Sequence, residues 1–164
     1  MYGEGSERSR QRGTAAHNTV QVAGLDSSEV WGGFRVARRA RPVGLVLKTF
    51  DSIEVVCAHD GYRHLSGRPM HERRWSFAPR SLLVTDRVSG PPRLAEAHFL
   101  LHPSVSVETT GSSASSADPV LMLRLPRGQR VQVDVQGADI RLEAATWHPE
   151  FGQCLPSKIG RAHV

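Results

Sequence analysis

The chain has 164 residues, with 21 Lys and Arg against 16 Asp and Glu, for a formal charge of +5. That length supports one domain with a buried core. With 39% hydrophobic and 23% charged residues the composition is globular, which excludes a disordered, collagen-like or disulfide-scaffold chain. No apolar run approaches the ~20 residues of a membrane-spanning helix, so no membrane insertion is expected. The opening Met-Tyr-Gly-Glu-Gly-Ser-Glu-Arg has no apolar stretch after a basic start and does not read as a signal peptide.

Along the chain, helical periodicity is almost absent. Short apolar and polar alternations recur instead, each closed by Gly, Pro, Asp or Ser. They predict strands at 19–22, 33–38, 43–50, 53–58, 73–77, 81–85, 95–101, 105–108, 120–125, 130–135 and 140–146. The clearest is Gln129-Arg-Val-Gln-Val-Asp-Val-Gln136, which places Val131, Val133 and Val135 on one face. Asp60-Gly61 and Ser89-Gly90-Pro91-Pro92 carry turn chemistry. The small polar stretch from Thr109 to Asp118 reads as a loop. About eleven short strands without a convincing helix predict an all-β fold, an antiparallel β-sandwich.

The charge does not make a nucleic-acid protein. Of the 21 basic residues only Lys48 and Lys158 are lysine, and the arginines are scattered from Arg8 to Arg161 rather than clustered as a phosphate patch. Arginine equally suits carboxylates and sulfates, whose oxygens its planar fork engages in pairs. Cys57 and Cys154 are 97 residues apart and form no CxxC motif. Cys57, within Ile53-Glu-Val-Val-Cys-Ala58, reads as a buried free thiol.

Eight histidines are many for this length, yet neither an HxH nor an HExxH motif occurs, so spacing alone predicts no self-contained metal site. No nucleophile elbow or phosphate-binding glycine loop is present. His59-Asp60-Gly61-Tyr62 reads as a strand running into a tight turn. Trp31, Trp75 and Trp147 are more often packing residues than sugar platforms in such a fold.

One stretch goes further. Arg12-Gly-Thr-Ala-Ala-His17-Asn18-Thr19-Val20, preceded by Tyr2-Gly-Glu-Gly-Ser-Glu-Arg8, resembles the C-terminal domain of heparinase II/III-like proteins. Supporting segments are Glu29-Val-Trp31-Gly-Gly-Phe34-Arg35, His59-Asp60-Gly61-Tyr62-Arg63, His71-Glu-Arg73-Arg74 and Trp147-His-Pro-Glu-Phe151-Gly152. The resemblance covers residues 1–153 and implies a polysaccharide lyase whose cleft lies between an N-terminal (α/α) toroid and a C-terminal β-sandwich. It implies β-elimination next to uronic acids in an acidic polysaccharide, and a place in the cell envelope or periplasm.

By the same resemblance, His17 matches a ligand of a zinc held also by an HxH pair and an Asp. Those partners would lie upstream of Met1, so His17 is expected to bind zinc only in the full-length protein. Tyr2 matches the phenol that acts as acid or base. The fragment alone is expected to be inactive, because the toroid and most zinc ligands are absent. The alternative is a noncatalytic carbohydrate-binding or scaffolding β-sandwich in exopolysaccharide metabolism.

Residues 154–164 depart from the family pattern. Ile159-Gly-Arg-Ala-His-Val164 is what ATC GGA AGA GCA CAC GTC would encode, a string resembling a sequencing-adapter read. The codons of the gene decide this: any other string there refutes it.

Overall fold

The computed structural model describes residues 5–91, 93–109, 120–150 and 152–163. The fold is all-β and antiparallel, of the β-sandwich class, with thirteen strands among the described residues. Two compact units are distinguished, one built from residues 5–15 and 20–95 and the other from 16–19 and 96–163.

The first unit opens with α1 (Ser6–Arg12) and continues through β1 (Val20–Val22), β2 (Glu29–Trp31) and β3 (Arg35–Ala37). Its main sheet has the order β4 (Pro42–Lys48), β5 (Ile53–His59), β6 (His71–Ala78) and β7 (Ser81–Val88), so each strand pairs with its neighbour in sequence. The two residues Pro79 and Arg80 close the β6–β7 hairpin, and this fixes Arg73 opposite Asp86 and His71 opposite Val88. A bulge between Val43 and Val46 shifts the β4–β5 register, and Gly44 at φ 66° occupies it. The two-residue period divides the sheet. One face carries Glu54, Glu72, Arg74 and Lys48, with Glu54 paired to both basic groups. The opposite face carries Ile53, Val55, Trp75, Phe77, Leu82 and Val84, and passes at one end into His59, His71, Arg73 and Asp86.

The second unit contains the sheet order β8 (Ala95–Leu100), β13 (Leu155–His163), β12 (Asp139–Trp147). A separate three-stranded sheet has the order β11 (Arg130–Asp134), β10 (Val120–Arg124), β9 (Ser106–Thr109). The predicted loop from Thr109 to Asp118 falls, beyond Thr109, outside the described residues.

Three elements differ from the sequence reading. The helix α1 was not expected. It lacks an apolar stripe, and ion pairing supports it instead: Glu7 accepts from Arg10 at 2.6 Å and from Gln11 at 2.9 Å, three and four residues on. The strand β2 is only three residues long and pairs with β3. The third is β13, in the stretch set apart as a tail. Pro156 and Gly160 dilute its alternation, so its strand character comes from its neighbours, with nine residue pairs to β12 and five to β8. Pro156 lies where β13 has β12 but not β8 as ladder partner, a position that tolerates a missing N–H.

Candidate functional site

The motif around His17 is built mainly by backbone clamps. Thr14 is buried; its N–H donates to Asp26 Oδ1 at 2.6 Å, and its Oγ1 accepts from Ser27 N at 2.8 Å. Those bonds tie the Arg-Gly-Thr segment to the turn after β1. In the other unit, Asn18 Oδ1 accepts from Leu100 N at 2.7 Å, and Thr19 O accepts from His98 N at 2.9 Å. The Asn and Thr of the motif therefore align its chain along β8. Between them His17 is exposed, its carbonyl accepting from Thr19 N at 2.8 Å.

No group of three or more His, Cys, Asp or Glu side chains converges for a metal ion among the described residues. Among those residues His17 belongs to no such group. Tyr2 lies outside the described residues.

The remaining histidines are largely committed. His148 contacts Gln153 O through Nδ1 and Thr146 Oγ1 through Nε2, each at 3.0 Å. His102 packs edge-on to Trp147, with ring centroids 5.1 Å apart. His98 is fully buried, with Nε2 at 3.0 Å from Glu96, and burial pushes its imidazole toward the neutral form. Glu96 also meets His163 at 2.9 Å and Arg161 at 3.4 Å, so both tail residues enter a charge network.

His59, His71 and Arg73 lie in sequence segments that carry the resemblance, but nothing in those segments joins these residues to Asp86 in the most connected titratable cluster. Asp86 on β7 accepts from Arg73 Nε at 2.7 Å and Nη2 at 2.8 Å, a two-pronged pairing. His71 Nε2 lies 2.6 Å from the same carboxylate, and His71 Nδ1 lies 3.1 Å from His59 Nε2. Gly61 N–H donates to His59 Nδ1 at 3.3 Å, which fixes one consistent set of tautomers. His59 Nε2–H donates to His71 Nδ1, and His71 Nε2–H donates to Asp86. The chain of imidazoles ends on a carboxylate paired with Arg73. Burial raises the Asp86 carboxyl, but the His71 hydrogen bond and Arg73 outweigh it and hold the group below its usual range. Burial, then the neighbouring His71, lowers His59 to about 4. Alternation on β6 and the short β6–β7 turn were the signals available for this cluster.

Its other end anchors the Asp60–Tyr62 turn. Asp60 Oδ1 accepts from Arg41 N at 2.8 Å, and Asp60 O accepts from Arg63 N at 3.0 Å. Tyr62 is fully buried, and its hydroxyl donates to Val20 O at 2.8 Å. Burial pushes that phenol up to about 12, which favours its protonated form. A Cβ on Gly61 would stand 2.5 Å from Ser27 O and 2.9 Å from the Ala40 Cβ. Because the first obstacle is backbone, Gly61→Ala is expected to cost about 3 kcal/mol, at the upper end for overpacking, read as a lower midpoint in a denaturant melt.

A shallow depression is lined by Gly5, Ser6, Arg8, Ser9, Trp31 and Gly32. Arg8 Nε donates to Gly33 O at 2.8 Å, and its guanidinium lies 5.0 Å from the Phe34 ring centroid. Arg12 donates to Gly32 O at 2.7 Å and to Arg35 O at 2.9 Å. The two arginines thereby fasten α1 to the β2–β3 hairpin. Trp31, weighed above as a packing residue, is 45% exposed, whereas Trp75 and Trp147 are half-buried.

Comparisons with known proteins agree with this architecture. The model of the family described as heparinase II/III-like, C-terminal, matches residues 1–160. A solved heparinase III structure is similar over 99% of this chain with a TM-score of 0.71 and 17% identity, a likeness of fold. The chain spans 24% of that heparinase III's length. No curated protein matches the chain significantly. The match over nearly every residue, through the Arg12–Val20 motif and into β13, places the chain in the heparinase II/III-like family as a C-terminal domain.

Proposed function

We propose that this chain is the C-terminal part of a polysaccharide lyase that cleaves a uronic-acid-containing polysaccharide by β-elimination. The observation that carries the reading is the family match over residues 1–160, which includes Tyr2 and the His17 motif. The elimination requires the sugar C5 carboxylate to be neutralised, the C5 proton to be removed and the O4 leaving group to be protonated. Tyr2 is the group assigned to proton transfer, since a phenol can serve as base and then as acid on one face of the sugar. His17 is assigned as a zinc ligand in the full-length protein, with the other ligands and the (α/α) toroid contributed by residues outside this sequence. By the same family relation the protein acts in the cell envelope or periplasm on an acidic polysaccharide.

The test uses the full-length protein. Tyr2→Phe is expected to lower kcat by about 10²-fold or more with KM little changed, because it removes a proton-transfer group rather than a binding one. An unchanged kcat in that variant would remove Tyr2 from the chemistry. The 164-residue chain alone is expected to release no unsaturated uronate.

A further inference from the structure

We propose that the depression between α1 and the β2–β3 hairpin is a subsite for a uronate residue, with Trp31 stacking on the sugar ring and Arg8 pairing with its carboxylate. The inference rests on the lyase reading for its ligand class and adds residues to which that reading assigns no role.

The local charges favour an anion. Glu7 is engaged by Arg10 and Gln11, and Glu29 by Arg38 at 2.8 Å. Arg8 and Arg12 spend hydrogen bonds on backbone carbonyls, and no carboxylate pairs with either among the described residues. A carbonyl fixes a guanidinium without neutralising it, so the hairpin end of α1 keeps its positive charge. With Nε given to Gly33, Arg8 retains its Nη donors for a carboxylate. Gly33 and Phe34 already hold the side chain, so little rotamer freedom is lost when a ligand arrives.

The aromatic component points to a ring rather than a bare ion. A 45% exposed tryptophan beside a pinned arginine offers an apolar face and a charge to one ligand, which matches a sugar bearing a carboxylate. Ser6 and Ser9, also on the lining, supply hydroxyls suited to those of a sugar.

Titrating the 164-residue chain with an unsulfated oligouronate, followed by tryptophan fluorescence, tests the subsite. Saturable binding is expected, lost when the same oligosaccharide has its carboxyls reduced to alcohols. Trp31→Ala and Arg8→Gln are each expected to weaken it about tenfold or more. Trp31→Phe should retain most of the affinity and Arg8→Lys only part, since lysine keeps the charge but not the fork. Absence of saturable binding, equal affinity for the reduced sugar, or wild-type affinity in Trp31→Ala with an unchanged melting temperature would each overturn the proposal. In the full-length protein the same substitutions should raise KM with kcat maintained. Cleavage with KM unchanged in both variants would reject the subsite and leave the lyase reading standing. Trp31-dependent binding by a full-length protein that cleaves no uronate polymer would do the reverse.

Discussion

Deleting residues 155–164 is expected to abolish the β8–β13–β12 sheet of the second unit. β13 is its central strand, and its removal leaves β8 and β12 without the partner that both share. Ile159 and Ala162, at 4% and 7% exposure, are buried hydrophobic residues of this strand, and Glu96 loses its contacts to Arg161 and His163. Hydrogen exchange should show slow amides in β8 and β12 becoming fast, while those of β5 and β6 in the other unit retain protection. A milder variant separates packing from chain length: Ile159→Ala should cost about 3 kcal/mol while keeping every backbone group of the strand. Unchanged protection in β12 after the deletion would mean that β13 does not hold this sheet. Whether the codons match an adapter string is a separate question, because any sequence with a tolerable strand pattern can be recruited between two waiting edges.

The second large effect is expected at Asp86. Its carboxylate is the only acidic partner shown for Arg73 and His71 among the described residues, and both of those side chains are nearly completely buried. Asp86→Ala should therefore destabilise the chain by about 3 kcal/mol or more, because it removes the carboxylate that a buried guanidinium and a buried imidazole both contact. Asp86→Asn keeps an acceptor but not the charge, and should cost less. A denaturant midpoint that does not move in Asp86→Ala would show that Arg73 finds another partner.

The same cluster sets a pH dependence of known sign. His59 falls from 6.5 to about 4 on folding, so between those values the unfolded chain binds the extra proton. Stability is then fully present above about pH 6.5 and is lost as the pH drops toward 4, by at most about 3 kcal/mol. Protonation also requires a hydrogen on Nδ1, where His59 now accepts from Gly61. His59→Gln should flatten this part of the stability profile. Asp86, with its carboxyl held low, is stabilising above the normal carboxylate range and loses that contribution only in stronger acid.

Much of the fold was legible in the residues. Alternation located the long strands of the β4–β7 sheet and the strand around Val131 and Val133, because a half-buried strand writes its faces into a period of two. Elements held by something other than apolar patterning were not legible. The helix α1 is held by ion pairs and by arginines donating to hairpin carbonyls, and β13 by neighbours on both sides. The site divides similarly. Motif resemblance singled out His17 and Tyr2. Arg8, Trp31, His71 and Asp86 depend on contacts across 12–25 residues, which local spacing does not encode. Arg73–Asp86 is the exception in principle, since a two-residue turn at Pro79-Arg80 dictates that pairing once it is identified.

Under the proposed lyase reading, the full-length protein breaks uronic-acid polysaccharides by elimination. The most direct test of that reading is product analysis after incubation with a panel of uronate polymers. The expected products are oligosaccharides whose new non-reducing ends are unsaturated uronates, absorbing in the ultraviolet and lighter by one water than hydrolysis products. Saturated ends, or no cleavage of any uronate polymer by the folded full-length protein supplied with zinc, would overturn it.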